Sequence, residues 1–303
     1  MKGNWLKIAA GVLAVAVIAL VLVMVPGRSG QTEILRVATT TSLYDTGLWD
    51  YLEIIFEDRY DVDLQITAKG TGASLELGKN GDVDVVTVHD PLKEAAFIDG
   101  GYAIEAEING NAIERIPWAY NYYIILGPEP DPAGIGGGDL TPQEAFQRIQ
   151  QEGSLDPDTV KFVSRGDESG THGKEKTIWA SAGYNYTADI VGNGTDDDWY
   201  LETGQGMGTT LQVANEKLAY TLTDKGTLLA YKSDLDLVTL VAKGDIMLNV
   251  YMVMICSNGV NPELAKNLVT FLRADDIQAR IPGFGMPEYG EPLFYHYDPQ
   301  ICG

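Results

Sequence analysis

Two segments far apart in this chain consist of residue types that bind a bare oxyanion. Residues 164 to 172 read Ser-Arg-Gly-Asp-Glu-Ser-Gly-Thr-His, small hydroxyl side chains and glycines beside one arginine, directly before an apolar-periodic stretch. Thr39-Thr40-Thr41-Ser42 stands between a strand-like run, Ile34 to Ala38, and a helix-like run through Leu48, Trp49, Leu52, Ile55 and Phe56. The first N–H groups of a helix lack an intrahelical acceptor and carry the positive end of its dipole, so an anion placed there satisfies several at once. Two such starts predict one anion held between two lobes. A deprotonated tetrahedral dianion offers only acceptors, so its site needs donors and no inward carboxylate. The candidates are the hydroxyls and amides of Thr41, Ser42, Thr71, Ser169, Gly170 and Thr171, with Arg165 and Arg115 supplying charge. Thr40 and His89 are further candidates.

Each of these residues also has a plainer reading. Ser42 or Ser169 alone is an ordinary N-cap, and Arg165 alone pairs with Asp167 as a surface ion pair. Their joint occurrence after strands favours the anion site. His89, His172 and His296 are too scattered for a metal pattern, and neither a metal nor a cofactor is expected. The rival from another class is an anchored hydrolase using Ser169 and His172. No Gly-x-Ser-x-Gly elbow supports it.

These donors need strand-to-helix junctions to hold them, and the chain supplies such junctions repeatedly. Residues 83 to 88, 121 to 126, 161 to 163, 220 to 222 and 248 to 255 read as buried strands. Helices are expected over 43 to 58, 91 to 99, 142 to 151, 169 to 181, 207 to 217, 224 to 232 and 262 to 273. This alternation predicts an α/β fold with mixed, largely parallel sheets, and open α/β sheets bind ligands where strand ends meet helix starts. The glycine-rich turns Gly70 to Ser74 and Gly204 to Gly208 occupy such junctions as well.

Lys2 and Lys7 precede an unbroken apolar run from Ile8 to Val25, ended by Pro26-Gly27-Arg28. Its length lies between a signal-peptide core and a spanning helix. Without a following Cys or a nearby small-x-small site, it is read as an uncleaved anchor with the rest of the chain outside the cytoplasm. Setting aside the three basic residues of the first thirty leaves 18 Lys and Arg against 43 Asp and Glu, a formal charge of −25. Such a surface offers no basic stripe to phosphates, which excludes nucleic acid as a partner. Cys256 and Cys302 are the only cysteines, and Cys256, in an apolar run, is expected to be a buried small hydrophobe.

Taken together, Ala38 to Ser42, Gly70-Thr71-Gly72, Val88-His89-Asp90-Pro91, Tyr120-Asn121, Ser164 to His172, Gly204 to Gly208 and Ala219 to Thr227 carry a family resemblance. Over about residues 34 to 281 the chain resembles the tungstate-binding proteins of ABC importers, within the wider class of extracytoplasmic receptors for molybdate, sulfate and phosphate. The resemblance implies a type II periplasmic-binding-protein-like fold that closes over tungstate and delivers it to an ABC permease, acting as a monomer. Lobe one is expected from 31 to 118 plus 249 to 303, lobe two from 119 to 248, after an anchor at 1 to 30. Receptors for molybdate, sulfate or phosphate are the alternative on the same fold. Phosphate receptors place an acceptor aspartate where His89 stands, so His89 favours ions that retain no proton. The family carries a small residue at Asp90, so this carboxylate must turn away from the site or pair with a cation.

Overall fold

The computed structural model describes residues 32–192 and 199–302. The expected anchor at 8 to 25 lies outside the described residues. Among those that are described, no helix is long and apolar enough to cross a membrane.

Helices Pro91–Asp99, Gly170–Ser181, Met207–Glu216, Lys225–Tyr231 and Pro262–Arg273 occupy their expected windows, and Pro142–Leu155 starts where expected but runs four residues past 151. Four of their starts show why: Asp90, Thr141, Ser169 and Asp224 each accept a first-turn amide through the side chain, and Thr141 and Glu144 form a reciprocal capping box. The helix expected over 43 to 58 is split into Thr41–Tyr44 and Leu48–Tyr60, because Gly47 adopts φ +78°, which an α-helix cannot continue. Gly70 to Ser74, expected as a turn, instead opens the helix Thr71–Asn80. Gly72 and Gly78 weaken its helical signature, but Gly78 is needed for packing. A Cβ there would lie 2.9 Å from Cys256 Sγ and 3.1 Å from Phe97 and Val86.

The main sheet has the strand order Thr221–Asp224, Ile116–Gly127, Leu248–Cys256, Val85–Val88, Glu33–Thr40, Val62–Lys69. Its direction corrects the expectation of largely parallel pairing. Glu33–Thr40 and Val85–Val88 run parallel, as do Phe162–Ser164 and Tyr200–Glu202 in a small second sheet. Leu248–Cys256 lies antiparallel to both of its neighbours, and Thr221–Asp224 antiparallel to Ile116–Gly127. The chain leaves along Ile116–Gly127 and returns in the opposite sense, so the middle of the sheet is antiparallel. Strands buried on both faces read as apolar runs whichever way they point.

Contacts gather Ile34–Gly303 into one compact unit. Inside it the buried apolar side chains form four clusters. Two draw mainly on residues 35 to 119 and 251 to 294, around Trp49, Trp118 and Phe271 and around Val86, Phe97 and Met254. Two draw on residues 123 to 247, around Phe146, Phe162 and Trp179 and around Met207 and Leu211. Cys256 belongs to the second of these clusters, and burial pushes its thiol up to about 12.

Candidate functional site

Thr39 fixes the end of the first strand. Its hydroxyl accepts from Trp49 Nε1 at 3.0 Å and from Thr87 Oγ1 at 2.8 Å, while its carbonyl accepts from Ser74 Oγ at 2.9 Å. Two strand ends and the helix Thr71–Asn80 are thereby joined at one atom group. The chain then turns directly into the helix Thr41–Tyr44, capped by Thr40 Oγ1, which accepts from Leu43 N at 3.4 Å and lies 3.4 Å from Ser42 Oγ.

From the other half of the sequence, Arg165 reaches this turn. Its Nη2 donates to Thr41 Oγ1 at 3.5 Å and to Asp167 Oδ2 at 2.5 Å. Asp167 Oδ1 accepts from Ser169 N at 3.2 Å, and Ser169 Oγ in turn caps the helix Gly170–Ser181 by accepting from His172 N. The start of the helix Thr71–Asn80 adjoins the same loop, since a Cβ on Gly70 would be 3.8 Å from Asp167 O and 4.0 Å from Ser169 Cα. Three helix starts thus meet around Arg165.

Three polar atoms here are buried without a hydrogen-bond partner: Thr71 Oγ1, Thr171 Oγ1 and Arg165 Nε. Each belongs to a residue no more than 3% exposed. A buried polar group left unsatisfied costs about 1–3 kcal/mol, more when charged. Three on meeting segments fit a ligand that supplies acceptors.

His89 packs beneath this cluster, where a Cβ on Gly170 would stand 2.8 Å from its ring. Burial holds the imidazole down at about 4, so it is neutral at ordinary pH. Its Nδ1 lies 2.8 Å from Tyr123 Oη and 2.9 Å from Asn249 Oδ1. Asn249 Nδ2 donates to Asn121 Oδ1 at 2.7 Å, and Asn121 Nδ2 donates to Asp224 Oδ1 at 2.9 Å. Thr227 Oγ1 donates to Asp224 Oδ2 at 2.5 Å and approaches Ser42 O at 3.5 Å. A buried polar chain therefore links the Gly170 helix start to the Ser42 turn. Because Asn249 presents its oxygen to His89, the imidazole proton sits on Nδ1. The Tyr123 phenol, pushed well above its ordinary value mainly by burial, lies close to Thr171 Oγ1 without completing a hydrogen bond of normal geometry.

Asp90 is accounted for. Its Oδ1 accepts from Leu92 N and Lys93 N, and its Oδ2 lies 3.4 Å from Lys93 Nζ. Lys93 also donates to Glu168 O at 2.6 Å, tying the helix Pro91–Asp99 to the donor loop.

Thr40, Thr41, Ser42, Thr71, Arg165, Ser169, Gly170, Thr171 and His89 are brought into this neighbourhood. Arg115 is placed elsewhere: its Nε donates to Glu94 Oε2 at 2.7 Å, and among the described residues no hydrogen bond or ion pair is recorded between it and the donor segments. Glu94 is fully buried, and desolvation pushes its carboxyl up to about 7 against the opposing pull of Arg115. Sequence reasoning did not single out Asn121, Asn249 or Asp224 as site residues. The signal for Asn121 and Asn249 is a lone polar residue inside an apolar strand, whereas Asp224 ends the short strand Thr-Leu-Thr-Asp and caps the helix that follows. Ser169 and His172 do not form a nucleophile–base pair, because His172 Nδ1 accepts from Glu168 N and Nε2 faces Tyr186 Oη.

Residues 26–276 match a family model described as a PBP superfamily domain. A tungstate-binding protein TupA from Peptoclostridium acidaminophilum is 34% identical over 85% of this chain and 83% of its own. A putative ABC transporter anion-binding protein from Haloferax volcanii is 40% identical over 69% of this chain, which spans only 54% of that relative's length. The crystal structure of the tungstate ABC transporter from Geobacter sulfurreducens superposes with a TM-score of 0.66 at 38% identity, covering 81% of this chain and 96% of the other.

Proposed function

The chain belongs to the PBP superfamily and to its tungstate-binding family, and from that premise we propose that it is an extracytoplasmic receptor that captures tungstate for an ABC importer. It acts as a binding protein and not as an enzyme. The observation that carries the assignment of the site is the set of buried, unpartnered donors of Thr71, Arg165 and Thr171 on segments that meet. Thr41, Ser42, Ser169 and Gly170 complete the shell around the ion, through hydroxyls and helix-start amides. Thr40 and His89 stand behind it: Thr40 caps the first turn, and His89 supports the Gly170 helix start.

A tungstate dianion accepts at all four oxygens. Charge-assisted hydrogen bonds contribute about 1.5–3 kcal/mol each. Five to seven of them, after ordering and desolvation costs, amount to roughly −8 to −12 kcal/mol, a submicromolar affinity. Arg165 is the one guanidinium in the set, and Asp167 holds it in place.

Two lobes, 31 to 118 plus 249 to 303 and 119 to 248, close around the ion. This division is supported by the separate apolar clusters of the two sequence ranges, with Ile116–Gly127 and Leu248–Cys256 running between them. The receptor is a monomer, held at the membrane by the apolar run Ile8 to Val25, and it docks on the permease subunit. Calorimetric titration of the full chain in detergent with tungstate, molybdate, sulfate and phosphate tests the assignment. Submicromolar tungstate binding with phosphate far weaker is expected; phosphate binding without tungstate binding would reject it.

A further inference from the structure

Between Arg165 and Ser169, the two ends of the donor loop, the backbone turns left-handed twice, freely at a glycine and at a cost at Glu168. Gly166 adopts φ +60° and Glu168 φ +57°, two left-handed residues within three positions. Something outside the loop must hold it, and two hydrogen-bond chains converge from it on Glu175, a carboxyl 1% exposed in the next turn of the helix Gly170–Ser181.

The first chain starts behind Arg165. Gly166 N donates to Ser164 Oγ at 3.2 Å, and Ser164 Oγ donates to Glu175 Oε2 at 2.6 Å. The second starts ahead of Ser169. Glu168 N donates to His172 Nδ1 at 3.1 Å, so His172 Nε2 carries the proton that faces Tyr186 Oη at 2.7 Å. Tyr186 Oη lies 2.9 Å from Tyr200 Oη, which lies 2.6 Å from Glu175 Oε1. Tyr186 also lies 2.6 Å from Glu202 Oε1. We propose that Glu175 is the positioning residue of the donor loop, fixing Gly166 on one side and Glu168 on the other from a single buried side chain. The inference rests on the reading that Arg165, Ser169 and Thr171 bind the ion.

The protons can be counted. From Glu175 through Tyr200 and Tyr186 to Glu202 there are three oxygen–oxygen contacts in series but only two phenolic hydrogens. With both carboxyls ionised the phenols donate outward and their mutual contact carries no hydrogen; a proton on one terminal carboxyl supplies it. Glu175 is the buried one, and desolvation pushes it up to about 7. Ionised, it accepts from Tyr200; holding a proton, it can donate to Tyr200, which then donates to Tyr186 and Tyr186 to Glu202, while in both forms Oε2 accepts from Ser164 and Oε1 accepts from Trp179 Nε1 at 3.2 Å. A glutamine keeps the shape, an oxygen for Ser164 and a donor for Tyr200, giving up only the acceptor that Trp179 Nε1 uses; a leucine keeps none of these contacts.

The test is calorimetric titration of sodium tungstate into the full chain and into Glu175→Leu, Glu175→Gln and Tyr186→Phe, with ligand-free melting recorded for each. Glu175→Leu is expected to bind at least about tenfold more weakly, the equivalent of one or two lost donors. Glu175→Gln should return to within about threefold of the parent, and Tyr186→Phe should fall between them. A merely structural role would lower the melting temperature and leave the dissociation constant unchanged. A folded Glu175→Leu that binds as the parent does, or a Glu175→Gln as weak as Glu175→Leu, overturns the proposal. If Glu175→Leu does not fold, parental affinity in Tyr186→Phe overturns it. A parent that ignores tungstate rejects the receptor reading itself, and this inference with it.

Discussion

Asn249 donates its amide to Asn121 at 2.7 Å across the two central antiparallel strands, in the register that pairs these residues directly. Neither amide reaches solvent. Through this contact His89, behind one helix start, is joined to Asp224, behind the other. Asp224 is fully buried, and Asn121 and Thr227 are the neighbours that solvate it. Asn121→Ala removes one of those donors and should lower unfolding free energy by about 1–3 kcal/mol. Urea denaturation measures this, and a stability unchanged from the parent would show that Asp224 draws its compensation elsewhere.

Ser42 and Ser169 differ in what else they do. Ser169 Oγ caps its helix, whereas Ser42 Oγ caps nothing and lies near Thr40. Both alanine variants should weaken tungstate binding by roughly 1–3 kcal/mol. Only Ser169→Ala should also lose about 1 kcal/mol of ligand-free stability. Titration and melting together separate the two, and equal affinity in both variants and the parent would make these serines structural.

The two arginines should part in kind. Arg165→Ala removes the only guanidinium of the donor cluster and should reduce affinity at least about a hundredfold, in line with a lost charge-assisted donor pair. Arg115→Ala should leave affinity unchanged and lower stability, because Glu94 keeps its burial and loses its cation. An affinity loss in Arg115→Ala equal to that of Arg165→Ala would place it on the ion.

Glu175 sets a pH dependence whose sign is fixed. Its folded value, about 7, lies above the ordinary 4.5, mainly through desolvation. The folded state therefore binds the proton more tightly. The associated stability is fully present below about pH 4.5 and is lost as pH rises through about 7, by up to ~3 kcal/mol. Glu94 acts in the same direction. His89 and His172, both lowered by burial, act in the opposite one as pH falls below about 6.5. Comparing the parent with Glu175→Gln between pH 5 and 8 isolates the carboxyl: the variant should lose less stability over that rise. Identical slopes would show that Glu175 keeps one protonation state throughout.

That the donor segments lie at strand-to-helix junctions is legible because small hydroxyl residues cluster where an apolar strand ends and a periodic helix begins, a purely local pattern. Thr39 to Ser42 and Ser164 to Thr171 have it. The pairing of Arg115 with Glu94 is not legible, because Glu94 stands 21 residues away on another element and no pattern around Arg115 announces it. Asn121 and Asn249 are 128 residues apart, each a single polar residue in an apolar run, and only the register of their strands makes them a pair. Strand direction was illegible for a related reason, since Leu248–Cys256 would read identically if reversed. The helix Thr71–Asn80 was hidden by Gly78, whose missing side chain serves a tertiary contact and not the helix itself.

The lysine that ties the helix Pro91–Asp99 to Glu168 bears on kinetics. Lys93 is partly exposed and Glu168 largely so, and contacts of that kind weaken as ionic strength rises. The buried donors of the site are shielded from the same screening. If the ion departs only after the two sides separate, salt should shorten its residence time while barely altering the bonds that hold it. For a chain this acidic, the medium outside the membrane would then act as a timer on cargo release.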